Sequence, residues 1–369
     1  MNCKKKSKLQ QAQDKVQATI DLTNKTIEEL GGHTSQLYDS LQIIQELFDK
    51  IRNIPNDKKL QYEDLNKIRL NWRQQVERIE KDYKETAIKN AGIAAGAGLG
   101  VAVVTMGPTA AMGVATTFGV ASTGTAISAL SGAAATNAAL AWLGGGALAA
   151  GGGGMVAGES FLTLAGPVGW AIAGVSLLAS GLLFWKSSDD RKHLENVFTA
   201  ISYRDIKTYE LAIVEIKERI FRIIDESGKL NEAIENIQTF GLDYDLMTEV
   251  QQYALGSYVN LMLSSTQLLI NPIKGLQPKY LMEDFEYFMA LKDRKAKKSI
   301  CEKYKDLIVS LANMLYKIDL DDRSKKLLWK SLRKNEKMLK SMDISKKEFD
   351  IDIMNAIFEA LKLKYQKVE

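Results

Sequence analysis

The sequence predicts an all-α protein, and three observations carry that reading. Apolar residues recur at alternating spacings of four and three along both ends of the chain, as one face of a helix requires. Strand signals are absent: there is no run of clean alternation and no Asn-Gly or Asp-Gly turn. Charge is also segregated. Asp, Glu, Lys and Arg make up 25% of 369 residues, yet Glu159 is the only one between Lys89 and Lys186.

The N-terminal region, residues 1–89, reads as an amphipathic helical hairpin. Val16, Ile20, Thr23, Ile27, Leu30, Thr34, Leu37, Leu41, Ile44, Phe48 and Ile51 form a heptad seam. Gly31 and Gly32 interrupt helix propensity by about 1 kcal/mol each relative to alanine, which marks a bend, a weak point or a junction of two stacked helices. Asn53 to Asp57, with Pro55, is a break. A second helix follows with seam residues Leu65, Ile68, Trp72, Val76, Ile79 and Tyr83, and a short turn between two such helices makes them antiparallel.

Residues 90–185 hold 21 of the 27 glycines. Gly92, Gly96 and Gly100 recur every fourth residue and so share one helix face, the spacing that lets helix backbones approach closely in lipid. Pro108 divides a first apolar piece, Ala91–Met106, from a second, Thr109–Leu130. The last piece, Phe161–Trp185, has 25 residues without a charge and one proline, Pro167. About 20 apolar residues span a bilayer core. Trp170 lies within this piece, and Trp185 sits beside Lys186 as at a membrane interface.

Insertion scales credit Leu, Ile, Phe and Val with only a few tenths of a kcal/mol each, so the Ala-, Gly- and Thr-rich pieces sit near zero. A buried Ala/Gly core competes with the membrane reading. It would require these residues to hide inside thin heptad helices, whereas ordinary cores are built from Leu, Ile, Val and Phe. The expectation is conditional insertion, with the segment folded against the arms before a trigger.

Lys84 and Lys89 precede the segment, and Lys186, Arg191 and Lys192 follow it, so an even number of crossings is expected, two or four. Glu159 reads either as a residue at a hairpin tip in water or as a carboxylate lining a pore or gating insertion by pH.

Residues 186–271 carry a second seam: Ile206, Tyr209, Ile213, Ile216, Ile220, Ile223, Leu230, Ile234 and Ile237, with Ser227 in the one polar slot. A helix of that length can pack along the N-terminal arm. Further helix is expected over Tyr244 to Ile270, then a linker marked by Pro272 and Pro278. Residues 280–369 read as a separate small helical bundle.

No chemistry of catalysis is legible. Lys186-Ser187-Ser188 lacks the glycine that a phosphate-binding loop places before its lysine, because Trp185 stands there. Gly96-Ala97-Gly98-Leu99-Gly100 lacks the dinucleotide fingerprint's spacing and setting. His33 and His193 are isolated, and Cys3 and Cys301 are too distant in sequence to suggest a zinc site. Asp319, Asp321 and Asp322 lack the glycine and terminal Glu of an EF-hand. The expectation is therefore no enzyme activity, no cofactor and no metal. The net charge of +4 is interspersed, which argues against nucleic acid as a partner. The basic runs Lys292–Lys298 and Lys325-Lys326 read as solvated faces, with an anionic membrane surface as the alternative. The start of the chain shows no apolar run of a cleavable signal and no lipobox before Cys3. The expectation is a chain made in the cytosol that associates with membrane there or leaves by another route.

The order of parts resembles the α-helical pore-forming toxins of the cytolysin A type, including the tripartite Bacillus enterotoxin components. In those, long amphipathic helices, like Val16–Tyr83 and Ile206–Ile237 here, carry a Gly/Ala-rich apolar hairpin, here Ala91–Trp185. Apolipoprotein L-like proteins share the same plan. The resemblance covers about residues 10–270 and implies a lipid bilayer and either a homo-oligomer or a helical partner protein as partners. The apolar segment is longer than a simple hairpin, and residues 280–369 have no counterpart in that plan. A membrane-anchored scaffold that binds a partner through its heptad arms, without lysis, is the competing expectation.

Overall fold

The computed structural model describes residues 7–96, 108–118, 187–291, 295–334, 339 and 344–368. Among these residues the fold is all helical and has no strand. Four long helices form the main body: α1 (Lys8–Lys50), α2 (Asn56–Gly96), α4 (Ser188–Gln238) and α5 (Glu249–Ile270). A short helix, α3 (Pro108–Phe118), packs against α1, α2 and α5. Helices α6 (Met282–Ala290), α7 (Lys298–Lys303), α8 (Lys305–Leu315), α9 (Asp322–Lys334) and α10 (Ile351–Val368) follow.

Local chemistry sets the ends of the long helices. Ser7 and Gln10 form a capping box at the start of α1, and Thr248 and Gln251 form one at the start of α5. The Ser187 hydroxyl accepts from the Asp190 N–H, and Asp189 and Asp190 place negative charge where the helix dipole favours it. The turn between α1 and α2 passes through Asn53 in the left-handed region, φ 62°, and a parallel bridge between Arg52 and Asp243 ties it to the α4–α5 connection.

Contacts fix the directions. Phe48 meets Tyr62, and Tyr38 meets Trp72, with ring centroids 5.2 and 5.4 Å apart, so α1 and α2 are antiparallel. Lys15 pairs with Glu210, and Ser40 donates to Asn231, so α1 and α4 run parallel. Glu226 accepts from Ser264 and Ser265, while Arg219 donates to the Leu268 carbonyl, so α5 returns antiparallel to α4.

Every seam residue expected on α1, from Val16 to Ile51, is buried, including Thr23 and Thr34. On α4 the apolar residues of the expected seam, from Ile206 to Ile237, are likewise buried. Thr19, Thr23 and Thr26 satisfy their hydroxyls on carbonyls one turn back, which lets them sit in the seam without an unpaired donor.

Two hydrophobic cores share α4. Its buried seam from Ile206 onward belongs to the body. Leu194, Val197, Phe198 and Ile201 belong instead to the core of the C-terminal helices, together with Leu9 of α1. The C-terminal region therefore does not build its core from residues 280–369 alone. Sequence segmentation at Pro278 misses this, because the first turns of α4 are continuous with a helix whose remainder serves the other core.

Candidate functional site

The segment singled out by its missing charge is visible in the structure through α3. Pro108 opens this helix, where its absent N–H costs nothing and its φ is already helical. Residues 110–117 are all buried. A helix buried around its whole circumference needs either a protein interior or lipid on every side. Here α1, α2 and α5 enclose it.

The seat depends on two glycines. A Cβ built on Gly31 of α1 would collide with the Thr109 carbonyl and lie 2.8 Å from the Gly113 nitrogen. A Cβ on Gly113 would collide with the Ile27 carbonyl and lie 3.1 Å from the Gly31 nitrogen. The helices thus cross backbone to backbone, with no room for any side chain between them. Gly31 is not a junction of two stacked helices, since α1 is continuous from Lys8 to Lys50. Its neighbour Gly32 meets nothing within 4 Å. At its far end α3 is anchored by the Ile273 N–H, which donates to the Thr117 carbonyl at 2.7 Å. Thr117 donates to the Gly113 carbonyl, while the buried Thr116 hydroxyl has no partner among the described residues.

The body also carries a buried charge. Arg69 of α2 is fully buried, donating to Gln45 at 2.6 Å and Thr266 at 3.2 Å, with Nε unpartnered among the described residues. Gln45 in turn donates to Asp49, so this chain of hydrogen bonds reaches a carboxylate only through an amide. Burial pushes the guanidinium down to about 10. Arg69 lies seven residues from Tyr62 and from Val76, both buried, so it occupies an apolar register position. That heptad position is the one signal of its burial in the sequence, and a seam drawn through Ile68 and Trp72 passes over it.

The second charged feature joins the two cores. Arg204 of α4 directs Nε and Nη2 at Asp205 Oδ1, at 2.9 and 2.6 Å. Its Nη1 donates to the Asn313, Met314 and Tyr316 carbonyls at the end of α8. A cation there satisfies orphan carbonyls and opposes the helix dipole. Asp205 is buried and its Oδ2 has no partner among the described residues. Burial pushes its carboxyl up to about 6 despite Arg204. Nothing in the sequence pattern marks this pair.

Of the residues expected to serve membrane insertion and helix packing, Gly92 and Gly96 fall in the last turns of α2, which runs past the expected boundary at residue 89. Gly100, Glu159, Pro167, Trp170 and Trp185 lie outside the described residues. Among the described residues, no helix is long and apolar enough to cross a membrane. Also among them, no cluster of His, Cys, Asp and Glu could hold a metal ion. Comparison of the chain with protein-family models, curated proteins and solved structures finds no match.

Proposed function

We propose that the chain is a membrane-inserting helical protein that permeabilises bilayers, as a toxin or cell-suicide effector, through conditional insertion of residues 91–185. The observation that carries this reading is the enclosure of α3, a charge-free helix of apolar and small residues from that segment, inside a bundle of amphipathic helices. Fully burying a side chain such as Met112 or Val114 is worth roughly 1.5–3 kcal/mol in water. Moving alanine, glycine and threonine into lipid gains little. The bundle therefore holds α3 until something opens it, and the longer charge-free stretch around Leu162–Trp185 supplies most of the affinity for hydrocarbon. The buried Arg69 favours opening, because a guanidinium without a direct carboxylate costs several kcal/mol to keep dry and regains water when α2 separates. Helix pairing through small faces, Gly92, Gly96 and Gly100 among them, then takes over from the packing that the closed bundle provides. Homo-oligomers of the inserted form line the pore.

Release of dye from liposomes by the purified protein is the direct test. Concentration-dependent leakage is expected, and tight vesicle binding with no leakage contradicts the permeabilising reading.

A second reading has its own observation. Leu211, Val214, Phe221 and Ile224 form an exposed apolar stripe along the outer face of α4, with Leu211 and Phe221 69% and 72% accessible. Their spacing of three and seven is that of a heptad seam without its partner. It supports a non-lytic membrane-anchored scaffold whose arms bind a helical protein. That reading gives constant membrane association and no effect of overexpression on growth.

A further inference from the structure

A cavity of about 160 Å³ lies where α4, the turn at Lys274–Leu276 and the end of α8 converge. Its walls carry Arg204, Asp205, Lys279 and Lys317. Their charges are unequally satisfied. The Arg204 guanidinium is committed to Asp205 Oδ1 and to the three carbonyls at the end of α8. Asp205 Oδ2 is left buried with no hydrogen-bond partner among the described residues.

Lys279 donates to a backbone carbonyl, that of Lys274, and burial together with the charge of Lys317 lowers its proton affinity. Glu215 is the carboxylate that counters this, and its two oxygens are held by the Lys274 and Gly275 N–H groups. Gly275 is pressed against Ala212 of α4, where an added Cβ would lie 3.0 Å away, which fixes the turn and the cavity wall. Lys317 stands in the left-handed region, φ 57°, with its N–H donated to the Tyr365 hydroxyl at 2.6 Å. The Lys317 backbone is thus fixed in an uncommon conformation beside the cavity.

We infer that this cavity binds inorganic hydrogen phosphate, the dianion that keeps one proton near neutral pH. Lys279 and Lys317 place two ammonium groups here against the one carboxylate, Glu215, that offsets Lys279, so the wall calls for added negative charge, which hydrogen phosphate supplies. The unpartnered carboxylate oxygen calls for one hydrogen-bond donor, and the remaining P–O–H supplies that too. Sulfate matches the charge but has no proton at neutral pH, so an acceptor oxygen would face Asp205 Oδ2. The assignment is independent of membrane insertion. A phosphate monoester does not take this place, since its dianion has no P–O–H and its protonated form has a single negative charge.

The test is calorimetric titration of the full chain at neutral pH with inorganic phosphate, glycerol 3-phosphate and sulfate, beside Lys279→Gln/Lys317→Gln. Neither lysine holds the Arg204 contacts, so the variant keeps its fold, which its thermal transition checks. The expected result is saturable binding of inorganic phosphate, weaker for sulfate and for glycerol 3-phosphate by at least about tenfold and weakened about as much in the variant. Absence of lysine-dependent binding of inorganic phosphate overturns the inference, as does equal binding of sulfate and phosphate.

Discussion

Gly31 of α1 and Gly113 of α3 face each other at a backbone-to-backbone crossing, where a Cβ on Gly31 would run into the Thr109 carbonyl and a Cβ on Gly113 into the Ile27 carbonyl. Two glycines 82 residues apart in sequence thereby decide whether an apolar helix can be housed in water. The crossing predicts a sharp contrast between neighbours. Gly31→Ala or Gly113→Ala forces the helices apart and costs about 1–3 kcal/mol, as overpacking does. Gly32→Ala, with open space around it, gains up to about 1 kcal/mol of helix propensity. Urea midpoints of the three variants check this, and equal effects at Gly31 and Gly32 would refute the crossing.

The buried Arg69 gives a second expectation. Removing it alone leaves the Gln45 and Thr266 oxygens unpaired, whereas replacing charge and amide together removes the need at Gln45 and leaves only the Thr266 hydroxyl to find another partner. Arg69→Met with Gln45→Leu is expected to be neutral or stabilising by about 1–4 kcal/mol. If the stored charge favours opening, the double variant also binds liposomes more slowly. Faster binding would show that Arg69 holds the bundle shut.

Asp205 sets a pH dependence whose sign follows from burial. Its folded pKa, about 6, lies above the ordinary carboxylate value of 3.8. Such a group contributes stability that is full below about pH 4 and is lost as pH rises through about 6, on the order of 3 kcal/mol in all. Arg204 and Tyr209 adjoin the carboxyl on α4, and Lys279 and Lys317 line the same cavity from the other elements. The stability difference between the wild type and Asp205→Asn should therefore change across this window. A difference that stays flat between pH 4 and 7 contradicts the assignment.

The shared role of α4 makes a prediction about fragments. Residues 280–368 lack Leu194, Val197, Phe198 and Ile201, which complete their core. Alone, this fragment is expected to keep helical far-ultraviolet dichroism while lacking the near-ultraviolet signal of fixed aromatic packing. A peptide covering residues 187–209 should restore that signal. A fragment that is rigid by itself would place the boundary at Tyr280 after all.

The parts of this fold that are legible in the sequence are those that repeat. The burial of Val16 through Ile51, and of Ile206 through Ile237, follows from spacing alone, because a helix must put such residues on one side. The start of α3 at Pro108 is legible for an equally local reason. Long-range relationships are not. Gly31 looks like a defect until α3 is placed on it, since glycine propensity speaks only of its own helix. Arg204 bonds to its sequence neighbour Asp205 and to carbonyls more than 100 residues away, and no periodicity carries that. Leu194 and Phe198 continue the spacing of α4 while serving a different core.

The central claim is that hydrocarbon becomes the solvent of residues 91–185, and tryptophan reports on it. Three of the five tryptophans, Trp142, Trp170 and Trp185, lie in that segment, and the others are Trp72 and Trp329. With Trp72→Phe and Trp329→Phe, all remaining indole fluorescence comes from the segment. On liposomes containing lipids brominated along their acyl chains, the account predicts strong quenching under the conditions that release dye. Full fluorescence with the protein bound, at acidic and neutral pH alike, would contradict it.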